Sequence, residues 1–182
     1  MELSTVQQNN YQGKKQAGEL PFAKTISKYQ QSYKQVPWSY SNDGNLRWND
    51  SVMIQNAQTQ GWIVMDIGTR VPNVDEGYTV TSTGVGQNPG PMTRSVFRLV
   101  RVDDCDIFGN DEYVRYGQKV RVNANEYLYR KSLGLASMKH SPTICAPLSG
   151  NQIAFMSAAR ADANGVWIID SVEPQTRFEC QG

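Results

Sequence analysis

Few side chains in this sequence are suited to acid–base or nucleophilic chemistry. The one histidine, His140, stands in Ser137-Met138-Lys139-His140-Ser141-Pro142, and any Ser-His-Asp or Cys-His arrangement has to use it. Nothing around it resembles a nucleophile elbow, and a histidine ahead of Ser-Pro reads as a surface residue. Zinc asks for about four Cys or His ligands. Cys105, Cys145, Cys180 and His140 are the whole supply and are widely scattered, so no zinc site is expected. The acidic run Asp103-Asp104-Cys105-Asp106, with Asp111 and Glu112, lacks the alternating ligands and terminal Glu of a calcium loop and reads as a solvated hairpin loop. Gly84-Val85-Gly86-Gln87-Asn88-Pro89-Gly90-Pro91 opens as a GxG pattern. It has no third glycine in register and no Gly-Lys-Ser/Thr after it, so it reads as a long hairpin tip rather than a phosphate cradle. No catalytic, cofactor or metal site is expected, and the chain is not expected to be an enzyme. Residue count alone leaves open a glycoside hydrolase, which needs only two carboxylates.

The elements that would position any site begin with the bulk properties. The chain has 182 residues, 39% apolar and 19% charged, with 18 Lys and Arg against 17 Asp and Glu. That is room for one ordinary domain plus an unpacked segment. A net charge of +1 is low for a nucleic-acid or anionic-membrane protein, so neither partner is expected. No apolar run approaches the ~18 residues of a membrane span. Met1-Glu2-Leu3-Ser4 does not read as a secretory start. Three cysteines without a close pair fit a reducing compartment.

Residues 1–44 form an arm distinct from the β domain that follows over 45–182. The arm holds five of the eight lysines (Lys14, Lys15, Lys24, Lys28, Lys34), none of the ten arginines, seven glutamines and four tyrosines. Its acids are Glu2, Glu19 and Asp43, so it is mildly basic. Pro21 suits a first helical position. Phe22, Ile26, Tyr29 and Tyr33 then recur at helical spacing, which predicts a short amphipathic helix near 21–35 that stops before Pro37. Trp38 and Tyr40 follow in extended chain. One reading packs this stripe against the chain's own domain. The other makes Phe22, Ile26, Tyr29, Tyr33, Trp38 and Tyr40 anchors for a partner, because Tyr and Trp give large contact area at low entropy cost. The five arm lysines would then favour an acidic partner.

From Leu46 onward the pattern is β. Val52-Met53-Ile54, Trp62-Ile63-Val64-Met65, the run from Ser95 to Val102 and Lys119-Val120-Arg121-Val122 are short, rich in β-branched and aromatic residues, and split by turn residues. Strands at such intervals predict a sandwich or barrel. Internal similarity narrows this. Leu46-Arg47-Trp48-Asn49-Asp50-Ser51-Val52 matches Val114-Arg115-Tyr116-Gly117-Gln118-Lys119-Val120 in type and order. Each is followed by a second strand, begun by Trp62-Ile63-Val64 or Tyr127-Leu128-Tyr129. The run from Ser95 to Val102 closes the first unit much as Val166-Trp167-Ile168-Ile169-Asp170 closes the second. Two homologous units are expected, at about 46–103 and 114–173. Repeat architectures need several units to bury a core.

The lead Val114-Arg115-Tyr116, then Gly117-Gln118-Lys119-Val120-Arg121-Val122 and Tyr127-Leu128-Tyr129, resembles the MIR repeat. Together with Arg47-Trp48-Asn49-Asp50 and Gly77-Tyr78, the pattern is similar to the cilia- and flagella-associated protein 161 family over roughly 46–178. The resemblance implies an all-β fold, a MIR-like β-trefoil built of hairpin-capped units. With two units read here, the trefoil is expected to be incomplete and to carry a partly helical N-terminal arm. It implies a structural microtubule inner protein in the cytoskeleton of the cilium or flagellum, in the axonemal doublets. Its partners would be α/β-tubulin and neighbouring inner proteins, in a hetero-assembly rather than a homo-oligomer. The arm itself has no residue-by-residue match in that family. The rival is a soluble MIR-type module that binds a glycan or a protein loop, with Trp62 and Trp167 as sugar-stacking candidates.

Overall fold

Strands form here because β-branched and aromatic side chains pack well on a pleated surface, while Gly, Pro, Asn and Asp break the runs between them. The computed structural model describes residues 5–20, 22–74, 77–102, 111–125, 132–146, 150–158 and 163–171. Pro21, the acidic run 103–106, the Tyr-Leu-Tyr triplet 127–129, Glu173, Cys105 and Cys180 lie outside them. The described residues are mostly β. Two short helices, α1 (Thr5–Gln16) and α2 (Ala23–Ser32), come first. Eight strands follow: β1 (Ser51–Val52), β2 (Ile63–Arg70), β3 (Tyr78–Ser82), β4 (Phe97–Arg101), β5 (Lys119–Ala124), β6 (Gly134–Ser137), β7 (Ala154–Ser157) and β8 (Trp167–Ile168). They form one antiparallel sheet in the order β1-β4-β5-β6-β7-β3-β2, with β8 also on β5. The sheet curls into a half-barrel, as the sequence leads one to expect of an all-β chain.

Period-two alternation decides what the curl encloses. On β4, Phe97 and Leu99 are buried while Arg98 and Val100, on the other face, are only partly covered. On β5, Val120, Val122 and Ala124 point inward, between the exposed Lys119 and the half-buried Arg121 and Asn123. Met65, Tyr78, Leu133 and Met156 complete the main cluster, and Val71, Ala136, Ile153 and Phe155 form a second one. Helix α1 buries no side chain. Its sequence has no apolar stripe, so periodicity did not announce it, although Lys14 and Lys15 in its last turn complement the helix dipole.

The two lead segments fold alike. In one, Asp50 N–H donates to the Arg47 carbonyl at 3.1 Å; in the other, Gln118 N–H donates to the Arg115 carbonyl at 3.3 Å. The third residue of each turn takes a left-handed backbone, Asn49 at φ 68° and Gly117 at φ 81°. Asn and Gly are the residues that tolerate that region best. The Arg47 N–H is held by the Asp50 carboxylate at 2.8 Å, and the Arg115 N–H by the Gln118 amide oxygen at 2.6 Å. Asn49 N–H reaches the Leu99 carbonyl and Gly117 N–H the Ile169 carbonyl, both at 2.8 Å. Past the turns, Val52 lies opposite Phe97, and Val120 lies opposite Trp167. The same side-chain-locked turn thus leads into both β1 and β5.

If each lock sets its turn, Asp50→Ala and Gln118→Ala each leave an arginine N–H without its acceptor. Each substitution is expected to lower unfolding free energy by about 1–3 kcal/mol in urea titrations, the usual cost of orphaning such a donor.

Candidate functional site

The site anticipated on the arm is built on backbone that is tied down. Residues 32–39 run along the body. Val36 N–H donates to the Pro91 carbonyl at 2.9 Å. Thr93 N–H and Arg94 N–H donate to the Lys34 and Ser32 carbonyls at 3.0 and 3.2 Å. Ser39 N–H donates to the Ser51 carbonyl at 2.9 Å, and the Ser39 hydroxyl accepts from Ser51 N–H at 3.0 Å. Val36 and Ser32 are buried. The glycine-rich loop thus ends at the arm's docking rail, formed by 91–94.

The six aromatic and apolar anchors divide into two groups. Tyr29 and Tyr33 touch the body while remaining 40% and 50% exposed. The Tyr29 hydroxyl lies against Gly68 of β2, where an added Cβ would collide with it. The Arg94 guanidinium sits 4.3 Å from the centre of the Tyr33 ring and donates to its hydroxyl at 3.1 Å. Ile26 is half-buried. The other three stand open: Phe22 at 70% exposure, Trp38 at 53% and Tyr40 at 79%. Helix α2 ends at Ser32, so Tyr33 is its C-cap rather than a helical residue. Lys14, Lys24 and Lys34 are exposed, and Lys15 and Lys28 are half-buried.

A second feature lies below the arm. Gly44, Asn45, Leu46, Tyr113, Val114, Arg115, Tyr116 and Ile169 line an open cleft of about 420 Å³. Its rim carries two matched ion pairs. Arg47 forks onto the Asp43 carboxylate, with its closer contact at 2.7 Å, and lies 5.0 Å from the centre of the Tyr113 ring. Arg115 binds Asp111 through its Nε at 2.8 Å. Arg47, then the Ser41 hydroxyl, holds the Asp43 carboxyl well below the ordinary carboxylate range. Arg115, then the Tyr113 N–H, lowers the Asp111 carboxyl too. Permanent charge of this kind suits recognition better than proton transfer.

Other sequence candidates sit apart from this surface. His140 is exposed and Cys145 half-buried. Among the described residues no group of three His, Cys, Asp or Glu is placed to hold a metal, and no helix is long and apolar enough to cross a membrane. Trp167 donates its indole N–H to the Leu135 carbonyl at 2.8 Å, so its polar end is already engaged. Sequence reasoning missed the docking rail. Its only signal is the small polar Thr93 and Ser95, both buried, on the approach to β4. No protein-family model matches the chain, and no curated protein matches its sequence.

Because Arg47 depresses the folded-state pKa of Asp43, the pair supports the fold above the unfolded carboxylate value of about 4 and ceases to as pH falls through the lower folded value. Carboxyl-carbon NMR titration is expected to place the Asp43 midpoint below that of a free aspartate, and Arg47→Ala is expected to raise it toward about 4.

Proposed function

We propose that this chain is a non-catalytic structural protein of the MIR type. In this reading it binds tubulin and neighbouring proteins inside ciliary doublet microtubules, and the half-barrel is two-thirds of a β-trefoil. The observation that carries the binding role is the state of the arm. Four backbone hydrogen bonds to 51 and 91–94 fix residues 32–39, with a fifth accepted by the Ser39 hydroxyl, yet Trp38 within that stretch and Phe22 and Tyr40 outside it remain in solvent. Large rings held on ordered backbone lose little further entropy when they bury against a partner. The exposed Lys14, Lys24 and Lys34 would add attraction to an acidic surface such as tubulin. The matched lead turns support the MIR resemblance, because a repeat recurring in hydrogen-bond geometry is more specific than one seen in residue types alone. Anchors and β body on one chain would engage two surfaces together, which raises effective concentration without new contacts.

The test is fractionation of axonemes from ciliated cells expressing a tagged chain. The wild type is expected to stay with doublets stripped by high salt. Phe22→Ala, Trp38→Ala and Tyr40→Ala combined should release it to the soluble matrix, since each hot-spot aromatic is worth about 2 kcal/mol or more. The triple variant should melt as the wild type does, because none of the three is buried. Recovery of the wild type in the soluble matrix would sink the reading.

A further inference from the structure

The one histidine of the chain stands beside a tight turn. After β6 the chain leaves the sheet and reverses at Ser141-Pro142-Thr143-Ile144. Ile144 N–H donates to the Ser141 carbonyl at 3.0 Å, and Ser141 N–H donates to the Ile144 carbonyl at 3.3 Å. Pro142 takes the second position of that turn, which its fixed φ suits. Met138 and Ile144 pack on the second core cluster. Lys139, His140, Pro142 and Thr143 stand exposed, and Ser141 is half-buried.

Three observations converge on the Ser141 hydroxyl. Its oxygen accepts the Ile144 N–H at 3.1 Å and shares a hydrogen bond with the Thr143 hydroxyl at 3.2 Å. Donors are therefore already gathered around it. The charge about it has one sign: Lys139 and His140 precede it directly, and the chain holds no Asp or Glu between Glu126 and Asp162. Finally, of the eight prolines only Pro142 follows a Ser or a Thr.

We propose that Ser141 is a phosphorylation site for a proline-directed protein kinase, and that the turn holds the phosphoryl group once it is attached. A kinase of that class rejects a backbone N–H on the residue after the hydroxyl, and proline has none. In the transfer the Ser141 Oγ bonds to the γ-phosphorus of ATP and the bond from that phosphorus to the β–γ bridging oxygen breaks. The hydroxyl proton passes to the kinase's catalytic base, and ADP leaves. The hydroxyl gives up two hydrogen bonds on an exposed turn to react. Afterwards three phosphoryl oxygens offer acceptors to the Ile144 N–H, the Thr143 hydroxyl and the Lys139 ammonium. The new group carries about −1.5 to −2 charges, which reverses the sign of an acid-free stretch. An acidic partner would then be repelled where it was tolerated before. The inference stands on this turn and not on the arm or the microtubule reading, so either can fail alone.

The test incubates the purified full chain with ATP, Mg²⁺ and a mitogen-activated protein kinase. Intact mass spectrometry should show a single added phosphoryl group, and fragmentation should place it on Ser141. Pro142→Ala keeps the hydroxyl but adds an N–H that the kinase cleft leaves unpaired, and should slow incorporation about tenfold or more. Thr143→Ala should still be phosphorylated. Hydrogen exchange at the Ile144 amide should slow in the phosphorylated chain. Mapping on the wild type decides the site even if the proline variant fails to fold. No incorporation into the wild type, a phosphate mapped to another residue, an undiminished rate in Pro142→Ala, or unslowed exchange at Ile144 overturns the proposal.

Discussion

A β-strand has two edges, and each exposed edge presents backbone donors and acceptors that require partners. The rest of this structure follows from how that requirement is met. The first strand is served on one side by β4 and on the other by Ser39. Strand β5 is served by β4 on one side and by β6 and β8 on the other. The arm is therefore not a tail hung on a finished domain. Its extended stretch supplies hydrogen bonds that a sheet neighbour would otherwise supply, and α2 is drawn onto the sheet as a result.

The same constraint divides the arm's side chains into two populations. Those facing the body are used in docking: Tyr29 on Gly68, Tyr33 under Arg94, Val36 in the interior. Those facing away are large, apolar and open. In the proposed reading these exposed rings are the arm's interaction surface. The ion pairs around Arg47 and Arg115 add permanent charge beside the cleft and keep its rim polar.

The strands were legible because their residue types and turn punctuation are local signals. The likeness of 46–52 to 114–120 was legible too, since a left-handed turn position admits few residues and Asn49 and Gly117 both meet it. The stripe of Phe22, Ile26 and Tyr29 marked α2, although its end at Ser32 was hidden because docking to 91–94 stops the helix before Pro37 does. Helix α1 was not legible, since TVQQNNYQGKKQ has no apolar period. The docking rail was hidden for a different reason. It depends on backbone pairing between segments about sixty residues apart, and such pairing leaves little trace in side-chain type.

Gly68 has a consequence of its own. Because the Tyr29 hydroxyl lies where a side chain at 68 would begin, that glycine leaves the room in which the end of the ring meets β2. A single methyl there would turn the phenol off the strand, a displacement the far end of a flexible side chain makes without moving the helix. One contact between helix and sheet thus depends on a residue that contributes no side chain, on a strand far away in the chain.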